Sequence, residues 1–384
     1  MQHFYFDHNA TTPIAPEVLE TMVSCLGQVY GNASSIHHFG QSAKQRLEAS
    51  RRQVAALIHA SPAEIVFTGG GTEADNMAVL GAVRAAEGTA RHVITSAIEH
   101  PAVLGACARL EREGVAVTRV KTGSGGVVNP DDVRAALRPE TVLISVMHAN
   151  NELGTVQPIA EIARIAREAA VPLHVDGVQA LGKIPVDVGA LGADLYSMSG
   201  HKLYAPKGVG ALYVRKGTRL DPLIFGGHQE RDRRPGTENV PGAVALGAAA
   251  ELAGRELAAN GERLGALRDR FENAVLGRIS GAGINGARWS RTPNTSNLYF
   301  DGVDGEALVI ALDLRGFAVS TGAACSSGAL TPSHVLTAIG LDADRARASM
   351  RFSLGRGNTA AEVDALVEAL EASVAHLRRI SVHA

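Results

Sequence analysis

The sequence has few cysteines, few aromatic residues and almost no net charge. Only three of the 384 residues are cysteines, and they stand far apart, with no CxxC spacing and no paired cysteine–histidine spacing. A structural zinc site is therefore disfavoured, and free thiols in a reducing compartment fit best. The formal net charge is −2 and there is no lysine-rich run, which argues against direct binding of nucleic acid or of an anionic membrane.

Long apolar runs are also missing. The most apolar stretch, near residues 242–254, is alanine-rich, contains Glu251 and is too short to span a bilayer. The amino terminus, MQHFYFDHNATT, lacks the basic and apolar regions of a signal peptide, so we expect a cytoplasmic protein. The length, with 46% hydrophobic and 20% charged residues, predicts two domains or one large α/β unit.

Strand-like and helix-like stretches alternate between about residues 60 and 215. Candidate strands lie at 64–69, 92–97, 141–149, 172–178, 193–199 and 209–214. This alternation predicts a mainly parallel sheet with helices on both faces. After about residue 255 the pattern changes to a long charged helix, several strand-like pieces and a closing helix, which indicates a second, smaller α+β domain.

Ligands of α/β proteins gather at the carboxyl ends of the strands, so the residues that follow each strand are the candidates for a site. After the first candidate strand, Gly69–Gly70–Gly71–Thr72 opens a helix. Small residues at a helix start can bind a phosphate through backbone amides. The alternative is a helix start capped by Thr72, with Asp75 completing a capping-box-like pair. This segment alone leaves both interpretations open.

Polar residues also follow the later strands. His100 comes after SAIE and fits a core histidine, an acid/base or a stacking surface; Asn151 follows TVLISVMHAN. Asp176 ends an apolar strand, with Gln179 three residues further on. A buried carboxylate needs a partner, and a protonated pyridine nitrogen would serve as one, although a helix-capping aspartate is the alternative.

Lys202 is the most informative of these residues. It ends the segment Ser199–Gly200–His201–Lys202, one predicted strand after Asp176. A lysine at a strand end can be a solvated surface residue, but one that is desolvated becomes a Schiff-base nucleophile. The pairing of this lysine with Asp176 predicts a pyridoxal-phosphate enzyme.

Taken together, the motifs resemble those of a known family. The chain is similar to cysteine desulfurases of the NifS/IscS type, in the class-V aminotransferase superfamily. The resemblance runs nearly end to end, through FDHNATTP, GNASSIHHFG, FTGGGTEADNMA, AIEHPAV, HANNELGT, HVDGVQALGK, SMSGHKLYAPKGVGALYV, RRPGTENV, TGAACSSGALTPSHVL and RFSLGR. It implies the aspartate-aminotransferase-like fold (fold type I), with a large cofactor-binding domain at 15–255. A small domain would comprise 1–14 with 256–384 and carry a catalytic cysteine loop at about 318–332.

The resemblance also implies a role for each matching residue. Lys202 would bind pyridoxal 5'-phosphate and move the proton at the substrate Cα, and His100 would cover the ring as a possible acid/base. Asp176 would pair with the pyridine nitrogen and Gln179 with the ring oxygen. The other implied contacts are to the phosphate (Gly71, Thr72, Ser199, His201, and Thr237 of a neighbouring subunit) and to the substrate carboxylate (Asn151, also near the cofactor, and Arg351). Arg356 is interpreted as a structural residue, and the role of Thr237 implies a homodimer.

Cys325 lies among Gly, Ala and Ser in TGAACSSGAL, a composition that indicates a flexible loop with an accessible thiol. On the residues alone, a buried loop cysteine remains an alternative. The resemblance implies that Cys325 accepts sulfur from L-cysteine as a persulfide, with L-alanine as the other product. No intrinsic metal site is expected. The persulfide on Cys325 would be the group that contacts a nascent iron–sulfur cluster. The implied partner is a sulfur-acceptor protein such as an iron–sulfur scaffold or a tRNA-thiolation protein.

Three other functions compete with this one. A selenocysteine lyase uses the same framework, whereas a class-V aminotransferase needs no loop thiol. A catalytically silent partner of an iron–sulfur assembly complex would be free to lose Lys202, Asp176, His100 and Cys325. The segment GGHQERDRRPGTEN departs from the family pattern at His228, Asp232 and Pro235, next to the expected partner site. The other two cysteines, Cys25 and Cys107, fall in helix-like segments and are expected to be buried.

Overall fold

The central element of the fold is a seven-stranded sheet in the order β2-β8-β7-β6-β5-β3-β4. It is seen in a computed structural model that describes residues 3–88, 90–321 and 332–381. Only β8 runs antiparallel to its neighbours β2 and β7; the other pairs are parallel. The predicted α/β class with a mainly parallel sheet is confirmed.

The strands are β1 Phe4–Tyr5, β2 Ile65–Thr68, β3 His92–Ser96, β4 Ala116–Val120, β5 Thr141–Ser145, β6 Leu173–Asp176, β7 Leu195–Ser199, β8 Gly210–Val214, β9 Ala282–Ile284, β10 Thr295–Phe300, β11 Phe317–Ala318 and β12 Ser349–Ser353. The helices are α1 Pro16–Gln28, α2 His38–Leu57, α3 Gly71–Ala85, α4 Pro101–Arg112, α5 Pro130–Ala136, α6 Ile159–Glu168, α7 Val188–Leu191, α8 Val240–Arg278, α9 Gly305–Asp313, α10 His334–Ala338, α11 Ala343–Arg347 and α12 Ala360–Ser381. None of these helices is both long and apolar enough to cross a membrane.

Both faces of the large sheet are covered by apolar side chains. In β2, Ile65 and Phe67 belong to one hydrophobic cluster, whereas Val66 belongs to another on the opposite face. The first cluster includes residues of α1, α2, α6 and the first half of α8, and the second includes residues of α3 and α4. Because successive residues of a strand point to opposite faces, strands that are apolar throughout need this two-sided cover.

A third cluster lies around the smaller sheet β12-β10-β9, which is antiparallel. It contains Phe6, residues of the second half of α8 such as Phe271, and residues of α12 such as Leu366. The short parallel pair β1-β11 joins the amino-terminal segment to this part of the chain.

The long helix α8 contributes to two clusters. Its residues from Val240 to Leu252 pack in the cluster of the large sheet, and those from Leu264 to Val275 pack in the cluster of the small sheet. The helix that we predicted after residue 255 therefore begins at Val240 and runs through that position. A domain boundary at residue 255 would fall within a helix, and the division into 15–255 and 1–14 with 256–384 stays a proposal.

Candidate functional site

A cavity of about 870 Å³ lies at the carboxyl ends of the parallel strands. It is lined by residues that follow five strands, namely Gly69–Glu73 after β2, His100 after β3, Asn151 after β5, Asp176 and Gln179 at β6, and Ser199, His201 and Lys202 at β7. Arg351 of β12 and Asn9 also line the cavity. The structure thus brings together all the predicted cofactor and substrate residues that it describes, except Thr237.

Lys202 ends the 3-10 turn Gly200–Lys202 that follows β7. Its amine donates hydrogen bonds to the carbonyl oxygens of Asn9, at 2.5 Å, and Ala10, at 2.6 Å. The side chain is half-buried and lines the cavity instead of extending into bulk solvent. Its position fits a lysine that reacts with a bound carbonyl compound.

Asp176 is the last residue of β6 and is 5% exposed. Its Oδ1 accepts a hydrogen bond from the backbone N–H of Val178 at 3.0 Å. Burial, followed by the nearby carboxyl group of Asp75, raises the pKa of Asp176 to about 6. A cationic ring nitrogen in the cavity would offset both effects, which is the fit expected for a pyridine ring.

His100 is the N-cap residue of α4, and its Nδ1 accepts a hydrogen bond from the N–H of Ala102 at 3.1 Å. Since Nδ1 accepts, the proton of the neutral ring lies on Nε2. Burial lowers the pKa of His100 and the nearby Lys202 acts in the same direction, whereas the carboxylate of Asp176 opposes this shift without cancelling it. His100 is therefore a neutral imidazole on the cavity wall.

Glycines at the start of α3 allow the backbone to approach its neighbours closely. Gly70 is the N-cap of this 15-residue helix and no side chain caps it, so the capping interpretation of Thr72 and Asp75 is wrong. Asp75 is instead 1% exposed. A Cβ at Gly71 would lie 2.9 Å from Val178 Cγ2 and 3.1 Å from Ser199 Cβ, so glycine suits this approach. The backbone amides at the helix start are the groups that can bind an anion here.

Arg351 is 2% exposed, and its guanidinium group is only partly paired. Nη2 donates to Asp7 Oδ1 at 2.6 Å and Nη1 donates to the carbonyl oxygen of Asn151 at 3.1 Å, whereas Nε has no partner among the described residues. An unpaired buried N–H is costly, so this group suits a substrate carboxylate. Arg356, by contrast, pairs with Glu256 at 2.9 Å, in keeping with a structural role.

Thr237 is exposed and lies outside this cavity, in the loop between Gln229 and α8. Glu230 anchors that loop, because both of its carboxylate oxygens accept hydrogen bonds from Arg51. Of the three departures from the family pattern, His228 and Asp232 contact each other at 2.6 Å on the surface and Pro235 is buried. A contact of Thr237 with a second subunit remains a prediction.

The thiols divide into two groups. Cys25 and Cys107 are buried in apolar clusters, as predicted, and burial raises the pKa of Cys107 to about 12. Cys325 lies outside the described residues.

Four residues around the cavity were not predicted as functional. Asp7 and Asn9 lie in FDHNATTP, a motif that carried the resemblance without any assigned contact, and both touch cavity residues. Lys183 contacts Gln179, and Glu99 is fully buried beside His100. For Asp7 and Asn9 the available signal was the polar content of FDHNATTP itself.

Comparisons with known proteins agree over almost the whole chain. The family model described as aminotransferase class-V matches residues 4–366. The chain is 48% identical to a cysteine desulfurase IscS of Dictyoglomus turgidum, over 98% of this chain and 96% of the relative. It is similar to the solved structure of a NifS-like protein with a TM-score of 0.92 and 37% identity, over 98% and 100% of the two chains. It is also similar to SspA, solved in complex with cysteine, with a TM-score of 0.82 and 38% identity, over 91% and 98%.

Proposed function

Because this chain belongs to the aminotransferase class-V family, we propose that it is a pyridoxal-phosphate-dependent cysteine desulfurase. The observation that supports this most directly is the pairing of Asp176 and Lys202 in one cavity, at the ends of the neighbouring strands β6 and β7. Relatives named cysteine desulfurase match nearly the full length of the chain.

When bound, pyridoxal phosphate would supply an electron sink for the Cα of the amino acid. Lys202 would hold it and carry the proton at Cα, while Gly71, Thr72, Ser199 and His201 would hold its phosphate. Asp176 would keep the ring nitrogen protonated, and Gln179 would donate to the ring oxygen. His100, a neutral imidazole with its proton on Nε2, would cover the ring.

L-cysteine is the proposed substrate. Its carboxylate would occupy the open positions of Arg351, next to Asn151, where the unpaired Nε offers a hydrogen bond. This contact would fix the Cα–H bond relative to Lys202.

The sulfur acceptor within the chain is proposed to be Cys325. Its thiolate would attack the substrate sulfur; the S–S bond forms as the Cβ–S bond breaks, and Cβ gains a proton to give L-alanine. The net change is L-cysteine and a thiol to L-alanine and a persulfide. Since Cys25 and Cys107 are buried away from the cavity lining, Cys325 is the candidate among the three thiols.

The persulfide would pass to a separate acceptor protein, an iron–sulfur scaffold or a tRNA-thiolation protein, in the cytoplasm. We further propose a homodimer, because large apolar side chains are exposed along α1, the start of α2 and the segment between them: Leu19, Val23, Leu26, Tyr30, Ile36 and Phe39. A second subunit would cover these side chains and bring its own Thr237 to this cavity.

Mass spectrometry of the protein after treatment with L-cysteine, carried to the level of its peptides, tests the reaction. We expect one additional sulfur atom on the peptide that contains Cys325, together with L-alanine in solution. Cys325→Ser should abolish the adduct, and Cys25→Ala, the matched control, should retain it. Alanine formation that requires a 2-oxo acid or leaves Cys325 unmodified would instead indicate an aminotransferase or a lyase.

A further inference from the structure

Lys183 is a half-buried lysine that none of the proposed steps uses. Its amine donates to Asn9 Oδ1 at 3.0 Å and to Gln179 Oε1. Burial lowers its pKa well below the usual range, and the neighbouring cations Lys202 and Arg351 lower it further. A cation-forming group is costly in such surroundings, so its presence calls for a function.

The contact with Gln179 decides which way that amide group points. An amide has one oxygen that accepts and one nitrogen that donates, and Lys183 can only pair with the oxygen while it donates. The Nε2 of Gln179 then donates one hydrogen to the carbonyl oxygen of Asn9 at 2.9 Å. Its second hydrogen is left for the cavity, which Gln179 lines.

Asn9 is the rigid support for this arrangement. Its side-chain nitrogen donates to Thr295 Oγ1 at 2.9 Å and to the carbonyl oxygen of Asn151 at 3.1 Å, so its Oδ1 must face Lys183. Asn294 also donates to that Oδ1, at 3.0 Å. The carbonyl oxygen of Asn9 accepts from both Gln179 and Lys202. One buried residue, 2% exposed, therefore connects the three side chains.

We propose that Lys183 is a positioning residue, which fixes the Gln179 amide so that Nε2 is the end that donates into the cofactor cavity. The inference rests on the proposed function, in which Gln179 contacts the ring oxygen. Lys183 touches neither cofactor nor substrate in this scheme and acts through Gln179. A donor to the ring oxygen stabilises the oxygen anion, which disfavours a proton on the nitrogen that joins Lys202 to the cofactor.

A pH titration of the visible absorbance band of the purified holoenzyme measures this effect without turnover. In Lys183→Met the Gln179 amide is no longer fixed as the donor to the ring oxygen, so the pKa of the band should rise, by about one pH unit for the loss of one hydrogen bond. Lys183→Arg keeps a donor and should shift the band less. Lys216→Met replaces an exposed lysine far from the cavity and should leave the band unchanged.

A double-mutant cycle separates positioning from a general structural effect. In a Gln179→Ala background, Lys183→Met should give no further shift, because the residue through which it acts is gone. An unchanged band in Lys183→Met, or the same added shift in both backgrounds, would overturn the proposal. Should Lys183→Met aggregate, Lys183→Ala, which also lacks a donor, takes its place in the cycle with the same two outcomes. A wild-type protein that shows no visible band after incubation with pyridoxal phosphate would overturn the proposed function itself, and this inference with it.

Discussion

Glu99 is a carboxyl group held in a fully buried position beside the cavity. Its Oε1 accepts hydrogen bonds from Ser96 Oγ at 2.5 Å and from the N–H of Met147 at 3.0 Å, whereas Oε2 has no partner in the described part of the chain. Burial raises the pKa of Glu99 to about 8. The folded protein therefore keeps this carboxyl group protonated at neutral pH. A protonated Oε2 can donate a hydrogen bond to a water molecule.

This has a measurable consequence for stability. A carboxyl group with a raised pKa stabilises the fold at low pH, and that contribution is lost as pH rises from the unfolded value toward about 8. Asp75 and Glu152 act in the same direction, but their pKa values, about 7, lie lower. Between pH 7 and 8, the unfolding free energy should therefore fall less steeply with pH in Glu99→Gln than in the wild type, by at most about 1.4 kcal/mol per pH unit. Urea denaturation at a series of pH values measures the unfolding free energy. Identical slopes of unfolding free energy against pH in the two proteins would contradict the prediction.

At this scale the sequence was informative only where a residue follows a strand. Asp176 and Lys202 could be predicted, because strand ends are visible as the ends of apolar runs and meet at one edge of a parallel sheet. Asn9 and Lys183 could not be predicted, because their contacts join segments 170 to 174 residues apart. No periodic pattern of apolar and polar residues in the sequence indicates such a pairing. The capping alternative for Asp75 was wrong, since the burial of Asp75 depends on the packing of α3 against the sheet.

At the scale of single elements, the packing of α8 on α2 depends on one glycine. A Cβ at Gly247 would lie 2.8 Å from Ser50 Cα, a backbone atom of α2 that cannot move without displacing the helix. Gly247→Ala should lower the unfolding free energy by about 1–3 kcal/mol through this overpacking. Thermal or urea unfolding measures the change.

Gly261 provides the matched control in the same helix. Nothing lies within 4 Å of a Cβ built there. Gly261→Ala should stabilise the protein by about 0.5–1 kcal/mol, since alanine is the better helix former. Equal effects at the two positions would mean that helix propensity, and not the contact with α2, governs this part of the chain.

The elements that the sequence predicted and those it missed differ in burial. The six predicted strands of the large sheet are apolar runs, and the structure confirms each of them with shorter bounds. The strand β4 was missed because it lies at the edge of the sheet, where most of its side chains are exposed or half-buried. It also contains Arg119, so it does not read as an apolar run. The start of α8 was missed because its first half is apolar nearly all round, which removes the amphipathic signal of a helix.

At the scale of the whole molecule, the proposed dimer makes a prediction of its own. Light scattering should give twice the mass of one chain. Replacing two apolar residues of the exposed face of α1 in Val23→Glu/Leu26→Glu should shift the protein toward the monomer, because two charges would be buried in the interface. Trp289→Glu is the control: Trp289 is 82% exposed and lies elsewhere in the chain. A monomeric wild type, or equal effects of the two changes, would contradict the assignment of this face.

The contacts of Asn9 also bear on the order in which the protein is made. Asn9 leaves the ribosome long before its partners Gln179, Thr295 and Ser353, which lie 170, 286 and 344 residues later. The wall that supports Lys202 and Gln179 is therefore incomplete until the chain has been synthesised as far as Ser353. Stable capture of the cofactor thus follows the synthesis of these distant segments and does not guide it.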